Sequence, residues 1–166
     1  PGAGLFEFAT FGILVACVVL HELGHALMAR RFGIRVVDIT LWPLGGMARM
    51  TQMPESSRIE GLVAIAGPFL NFVLAGIGLP IWLWAVTSET TSPFTRELAL
   101  SFLWWNLTLG GFNLLPAFPM DGGRILRAVL ATMMPYLRAT FWAATLGKCL
   151  AVVGISIAIL QYQAYL

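Results

Sequence analysis

The stretch VVLHELGHALMARR, residues 18–31, carries two histidines and a glutamate inside a run of apolar side chains. Side chains four residues apart project from the same face of an α-helix, so His21 and His25 can bind one metal ion. Glu22 lies beside the first histidine and can reach a water molecule at that ion. Ionisable groups are costly at membrane depth unless they serve a site. The pattern therefore predicts a zinc hydrolase site within a membrane-spanning helix.

The composition is that of an integral membrane protein. Of the 166 residues, 58% are hydrophobic and 11% are charged, and the mean hydropathy is +0.82. Soluble domains carry far more charge on their exteriors. The few basic residues look like topology signals and not like a nucleic-acid-binding surface. We therefore expect the protein to contact the lipid bilayer and no nucleic acid. Cys17 and Cys149 both fall in apolar stretches, and no disulfide framework is predicted.

The apolar runs predict an all-α polytopic membrane protein, a single domain over residues 1–166 with about four transmembrane helices. The predicted spans cover residues 5–29, 59–86, 97–112 and 138–161. A small β-hairpin is expected at the membrane surface at about residues 34–51, where polar and apolar residues alternate on both sides of a turn. Prolines and glycine pairs break the third span, and a short helix is predicted at about residues 122–134.

Basic residues predict the orientation of the chain. They flank the hairpin and the broken segment, whereas the loop near Thr90 has only Arg96. By the positive-inside bias, both chemical segments face the cytoplasm. The site is therefore expected near the cytoplasmic face of the membrane. The flanking arginines are Arg30, Arg31, Arg35, Arg49, Arg58, Arg124, Arg127 and Arg138.

A catalytic zinc site commonly takes three protein ligands and keeps a position open for water. Asp121 is the best third ligand, because the broken segment lies at the right depth and irregular backbone is tolerated there if it lines an enclosed cavity. The competing role for Asp121 is a helix N-cap. Less well placed ligands are three acidic residues in or beside the hairpin and a cysteine one turn before the first histidine: Asp38, Glu55, Glu60 and Cys17.

Two asparagines are candidates for contact with a substrate. Asn113, in the broken segment, is expected either to hydrogen-bond a substrate backbone or oxyanion, or simply to end the helix. Asn71, within the second span, has the same role or bridges helices. The role of Lys148, deep in the last span, stays open.

Four motifs follow one another along the chain: HELGHALMARRFGI at residues 21–34, LWPLGGMARM at 41–50, AGPFLNFVLAG at 66–76 and NLLPAFPMDGGRILR at 113–127. Together they resemble the site-2 protease family of intramembrane zinc metalloproteases, in its bacterial and archaeal branch. The resemblance implies a prokaryotic cell membrane and one zinc ion per chain. It also implies that His21, His25 and Asp121 bind the zinc, that Glu22 is the catalytic base, and that Asn113 lies near the substrate.

The same resemblance implies a zinc metalloendopeptidase that cleaves transmembrane segments of membrane-protein substrates during regulated intramembrane proteolysis. A helical substrate must unwind before its peptide bonds are accessible. An edge strand of the hairpin is expected to capture it by β-augmentation, with Ile39, Leu41 and Met47 as contacting residues. The resemblance also implies a helix before the first span and, in many members of this branch, a CBS domain after the last one. The chain is expected to be a processed or trimmed piece, and a regulatory domain or a homo-oligomer stays open as a partner.

Two other readings use the same residues. A membrane metal-binding or metal-transport protein would employ the histidines without hydrolysis, but it needs a polar path across the bilayer, and the sequence offers little of one. An inactive scaffold of the same fold is disfavoured by the presence of Glu22.

Overall fold

The computed structural model describes residues 2–42, 45–51 and 56–164, which form five helices and one antiparallel hairpin. The predicted fold class, a mainly helical protein with a small β-hairpin, is confirmed. In chain order the elements are α1 (Gly2–Arg31), β1 (Val36–Trp42), β2 (Gly45–Met50), α2 (Ser57–Thr87), α3 (Pro93–Asn113), α4 (Asp121–Leu130) and α5 (Tyr136–Ala164).

Three helices in the described ranges are long and apolar enough to cross a membrane. They cover Gly4–Arg31 in α1, Ser57–Thr87 in α2 and Tyr136–Gln163 in α5. The remaining predicted span, α3, is not among them. At 1.5 Å per residue, α3 is about 32 Å long, which is sufficient to span the hydrocarbon core. It is less apolar because it carries Arg96, Glu97 and Asn106.

The first three helices pack against one another, and α4 lies between α2 and α5. The backbones of α1 and α2 are closest at Gly24, where a Cβ atom would lie 2.7 Å from the carbonyl oxygen of Ala66 and 3.1 Å from the Cα atom of Gly67. Only glycine on α1 permits this approach. It brings the histidines of α1 directly against α2.

The hairpin pairs β1 with β2, and Asp38 lies opposite Arg49. The carboxylate of Asp38 accepts hydrogen bonds from both Nε and Nη2 of Arg49, the former at 2.8 Å. The hydrogen bond from this guanidinium lowers the pKa of Asp38. The sequence predicts a turn over residues 43–46; residues 43 and 44 lie outside the described residues, whereas Gly45 and Gly46 belong to strand β2.

The third span breaks where the sequence predicts. Helix α3 ends at Asn113, turns and bends follow, and α4 begins at Asp121. Helix α4 ends at Leu130, earlier than the predicted end at about residue 134. The amides of Thr132 and Met133 bond to carbonyl groups three residues before them, and these bonds tighten the chain into turns ahead of Pro135.

Candidate metal centre

A cavity of about 390 Å³ lies where α1, β2, the end of α3 and the start of α4 meet. The two histidines and the glutamate of α1 face it from one side, and the broken segment closes it from the other. Lining residues include Val18, His21, Glu22, His25, Gly46, Met50, Asn113, Pro119, Asp121 and Arg124.

Three buried side chains converge beside this cavity. The Nε2 atom of His21 lies 3.0 Å from Oδ2 of Asp121, and the Nε2 atom of His25 lies 3.1 Å from the same oxygen. The two Nε2 atoms are 3.1 Å apart. The exposed fractions of these residues are only 5%, 4% and 7% for His21, His25 and Asp121. They form a group that could hold a metal ion.

The outer nitrogen of each imidazole already has an acceptor. Nδ1 of His25 lies 2.7 Å from the backbone carbonyl oxygen of Val63, which can only accept, so Nδ1 carries the hydrogen. Nδ1 of His21 lies 2.7 Å from Oδ1 of Asn71. Both Nε2 atoms therefore present lone pairs towards the carboxylate oxygen of Asp121. Three such atoms repel one another unless a cation lies between them.

The spacing of the three atoms suits zinc. A tetrahedral zinc ion with bonds of 2.0–2.2 Å separates its ligand atoms by about 3.3 Å. The observed separations of 3.0 and 3.1 Å need only a small expansion to reach that value. Two imidazoles and one carboxylate are also a ligand set that zinc takes in catalytic sites. The residues present therefore fit a zinc ion.

Helix α2 runs immediately behind the two imidazoles at Gly67. A Cβ atom there would lie 2.3 Å from Nε2 of His25 and 2.8 Å from Nε2 of His21. Any larger residue would occupy the space of the ligand atoms. The motif AGPFLN thus contributes two features to the site: Gly67, where only glycine fits, and Asn71, which contacts His21.

Asp121 is the first residue of α4, whose N-cap is Met120 without a side-chain cap hydrogen bond. The aspartate therefore does not serve as the N-cap, and its carboxylate is directed at the histidines. The next residue, Gly122, packs so tightly that a Cβ atom would lie 2.2 Å from the carbonyl oxygen of Leu115. At Gly123 a Cβ atom would lie 2.7 Å from the carbonyl carbon of Ala117. The glycine pair seats α4 against the broken segment.

A buried ion pair anchors α4 to α2. Glu60 is 1% exposed, and its Oε1 accepts hydrogen bonds from Nε and Nη2 of Arg127, the former at 3.0 Å. The hydroxyl group of Tyr136 donates to Oε2 of Glu60 at 3.1 Å, which ties α5 to the same carboxylate. This ion pair stabilises the packing of α4 against α2, and α4 carries Asp121 six residues before Arg127.

The other candidate ligands have different partners. Asp38 pairs with Arg49, Glu60 pairs with Arg127, and the thiol of Cys17 lies 3.1 Å from Nδ2 of Asn106. None of the three joins the metal-binding group in the described part of the chain. Glu55 lies outside the described residues. Lys148 is exposed on α5.

The predicted substrate-contacting residues separate into two groups. Asn113 lines the cavity, and its Nδ2 donates one hydrogen to the carbonyl oxygen of Leu109 at 3.0 Å. The second hydrogen of that NH₂ group can be donated to a substrate. Asn71 is fully buried behind His21 and bridges α2 to α3 through Asn106, which is the second of the two roles considered for it. Three residues belong to the hairpin ladder, but their side chains lie outside the described part: Ile39, Leu41 and Met47.

Glu22 lies in the cavity with an exposed fraction of 9%. Strand β2 crosses it so closely that a Cβ atom on Gly46 would lie 2.5 Å from Cγ of Glu22. Sequence reasoning missed Asn106, which bonds Asn71. The available signal was an amide side chain in a predicted span, two helical turns before Asn113 and hence on the same face.

These features define a helical membrane protein with a buried His-His-Asp group. The family model described as peptidase family M50 matches residues 9–101 and 80–154, and the chain belongs to this family. The chain is 39% identical over 162 residues to "Zinc metalloprotease MJ0392" of Methanocaldococcus jannaschii, covering 98% of this chain and 46% of that protein. It is 35% identical over 157 residues to "Putative zinc metalloprotease Rip3" of Mycobacterium tuberculosis, covering 92% and 39%.

A solved structure, "Site-2 Protease from Methanocaldococcus jannaschii", superposes with a TM-score of 0.71 and 40% sequence identity, covering 93% of this chain and 68% of that one. The predicted membership of the site-2 protease family is confirmed. The chain spans less than half the length of the two curated relatives. It is an integral membrane protein of a zinc metalloprotease family.

Proposed function

We propose that this chain is the catalytic core of a zinc metalloendopeptidase that hydrolyses peptide bonds in or near transmembrane segments of membrane-protein substrates, as in regulated intramembrane proteolysis. The observation that carries the proposal is the meeting of three buried ligand atoms with a buried glutamate in one cavity. In this proposal His21, His25 and Asp121 hold one zinc ion per chain, and Glu22 is the general base.

The protein residues have separate roles in this chemistry. Zinc, when bound, supplies Lewis-acid activation of water and polarises the scissile carbonyl group. Glu22 takes a proton from the attacking water and passes it to the nitrogen of the leaving amine. The second hydrogen of the Asn113 amide stabilises the negative charge that develops on the carbonyl oxygen. The low exposure of Glu22 keeps bulk water away from the proton transfer.

The hairpin gives an unwound substrate a place to bind. A two-stranded ladder leaves one edge of each strand for a further strand, and Gly46 of β2 contacts the Glu22 side chain. A substrate segment added to β2 by main-chain hydrogen bonds would pass the catalytic glutamate in extended form. The site is also near the expected cytoplasmic face, because His25 lies about 8 Å before Arg30 at 1.5 Å per residue.

The test is cleavage of a tagged transmembrane substrate by the purified protein in proteoliposomes. Glu22→Gln is expected to lower the cleavage rate by about 10²-fold or more while the zinc content is retained, because only the proton acceptor is lost. Asp121→Asn weakens a ligand and is expected to lose both zinc and cleavage. A chelator should abolish cleavage, and added zinc should restore it.

Cleavage that survives Glu22→Gln would refute the proposed mechanism. Zinc uptake into sealed liposomes without substrate cleavage would instead favour the alternative, a membrane metal-binding or metal-transport protein.

A further inference from the structure

Two asparagines connect the outer nitrogen of His21 to the third helix. Nδ1 of His21 lies 2.7 Å from Oδ1 of Asn71, and Nδ2 of Asn71 lies 3.1 Å from Oδ1 of Asn106. Nδ2 of Asn106 lies 2.9 Å from the backbone carbonyl oxygen of Phe102. Both asparagines are fully buried, with exposed fractions of 0%. We call this chain of contacts the asparagine relay.

The relay has a single direction, which the backbone sets. The carbonyl group of Phe102 can only accept, so the NH₂ group of Asn106 must face it and its oxygen must face Asn71. Asn71 therefore directs its own NH₂ group to Asn106 and its oxygen to His21. Only an N–H on Nδ1 of His21 satisfies that oxygen. The lone pair of Nε2 is then left for the metal.

The two histidines are thus held in different ways. His25 donates from Nδ1 to the backbone carbonyl of Val63, which any residue at that position would provide. His21 depends on two side chains from two other helices. A substitution can therefore remove the support of one ligand and leave that of the other intact.

We propose that Asn71 and Asn106 are positioning residues that hold His21 in the tautomer and ring orientation that bind the metal. The proposal rests on the proposed function only in taking zinc as the ion. Neither asparagine lines the cavity in the described structure, so neither acts on the substrate. Outer hydrogen-bond partners of metal-binding histidines typically contribute 10- to 100-fold in metal affinity. The relay is therefore expected to act on zinc affinity and to affect the kcat of the zinc-loaded protein less.

The first measurement is zinc affinity by competition with a chelator, using the full chain in detergent micelles. Asn71→Leu is expected to weaken zinc binding by about 10- to 100-fold. Asn106→Leu removes one buried hydrogen bond from the relay and is expected to weaken zinc binding by about fivefold. Asn71→Asp keeps an oxygen facing His21 but has no hydrogen to donate to Oδ1 of Asn106, so its zinc affinity is expected to lie between those of the wild type and Asn71→Leu.

Cys17→Ala is the matched control. Its thiol contacts the same NH₂ group of Asn106, at 3.1 Å, but lies off the path to His21. It is as deeply buried as the asparagines. The carbonyl of Phe102 still orients Asn106 in this variant, so zinc affinity is expected to stay unchanged. A loss equal to that of Asn71→Leu would mean that the asparagines act through packing alone, which would overturn the proposal.

The second measurement reads the relay directly by NMR of protein labelled with ¹⁵N-histidine and loaded with zinc. The chain has two histidines, so two hydrogen-bonded Nδ1–H protons are expected in the wild type. In Asn71→Leu the Nδ1–H signal of His21 should lose the downfield shift of a hydrogen-bonded proton, while that of His25 stays unchanged as an internal reference. Neither readout requires peptide hydrolysis, so an inactive protein that shows both effects would contradict the proposed function but not the relay.

Two results would overturn the relay: unchanged zinc affinity of Asn71→Leu, or two Nδ1–H signals in that variant with the same downfield shifts as in the wild type. A wild-type protein that binds no zinc would contradict the relay and the proposed function together.

Discussion

The substitution Gly67→Ala tests how closely α2 confines the metal centre. Non-bonded heavy atoms are at optimal separation at about 3.5 Å. The new Cβ atom would lie 2.3 Å from Nε2 of His25 and 2.8 Å from Nε2 of His21. Relief of these contacts requires displacements of about 1.2 Å and 0.7 Å, whereas metal sites tolerate deviations of about 0.2 Å in their bonds.

The expected loss follows from the cost of overpacking, which is about 1–3 kcal/mol. At 1.4 kcal/mol for each factor of ten, Gly67→Ala should weaken zinc binding by about fivefold to 150-fold. The measurement is chelator competition with the detergent-purified protein, together with thermal unfolding followed by circular dichroism in the presence and absence of zinc. The zinc-dependent increase in melting temperature should shrink with the affinity.

Gly76→Ala is the matched control, because it places the same methyl group about two and a half turns away on α2. A Cβ atom at Gly76 would meet no atom of the described residues within 4 Å. Alanine favours a helix over glycine by about 0.5–1 kcal/mol, so this variant should bind zinc normally and unfold at an equal or higher temperature. Equal zinc affinity of Gly67→Ala and Gly76→Ala, with unchanged melting, would refute the geometry described here.

Three further outcomes are expected. Gly46→Ala should retain zinc but cleave substrate about tenfold more slowly, because the new methyl group displaces the Glu22 side chain; zinc content and cleavage rate are measured on the same sample. Arg127→Met leaves the buried carboxylate of Glu60 without its guanidinium and should lower the free energy of unfolding by about 3–5 kcal/mol, measured with a denaturant. The double variant with Glu60→Leu should recover most of this loss, because no unpaired charge is then buried. In the hairpin, the arginine opposite Asp38 lowers the pKa of Asp38, so the ion pair contributes to stability above the unfolded pKa of about 3.9 and is lost as the pH falls through the lower folded value. The protection factors of the β1 amides against hydrogen exchange should therefore fall at acid pH in the wild type but not in Asp38→Asn.

Much of the architecture was predictable because it depends on local periodicity and composition. Apolar runs indicated the helices, the alternation of residues 34–51 indicated the hairpin, and the prolines and glycines indicated where the third span breaks. Helix ends were less accurate, as the early end of α4 at Leu130 illustrates. Turn-forming hydrogen bonds, and not Pro135 alone, end that helix.

The metal centre, like the fold, could be predicted from the sequence only in part. The four-residue spacing of His21 and His25 places both imidazoles on one face of α1 whatever surrounds the helix, so the sequence by itself determined that pair and the adjacent Glu22. The approach of Asp121 joins residues 100 positions apart in the chain. For Asn71 the sequence left substrate contact and helix bridging both open, because it does not reveal which face of a helix meets which neighbour; in the structure Asn71 contacts His21 and Asn106.

Only the tertiary structure decided the rest: the closeness of α2 at Gly67, the seating of α4 by Glu60 and Arg127, and the relay through Asn106. The physical reason is that spacing along one helix is a property of its backbone, whereas the separation of atoms on different helices depends on how the helices pack. The sequence VVLHELGHALMARR supplies two nitrogen atoms and a base. Packing brings the third ligand and the orienting hydrogen bonds to them.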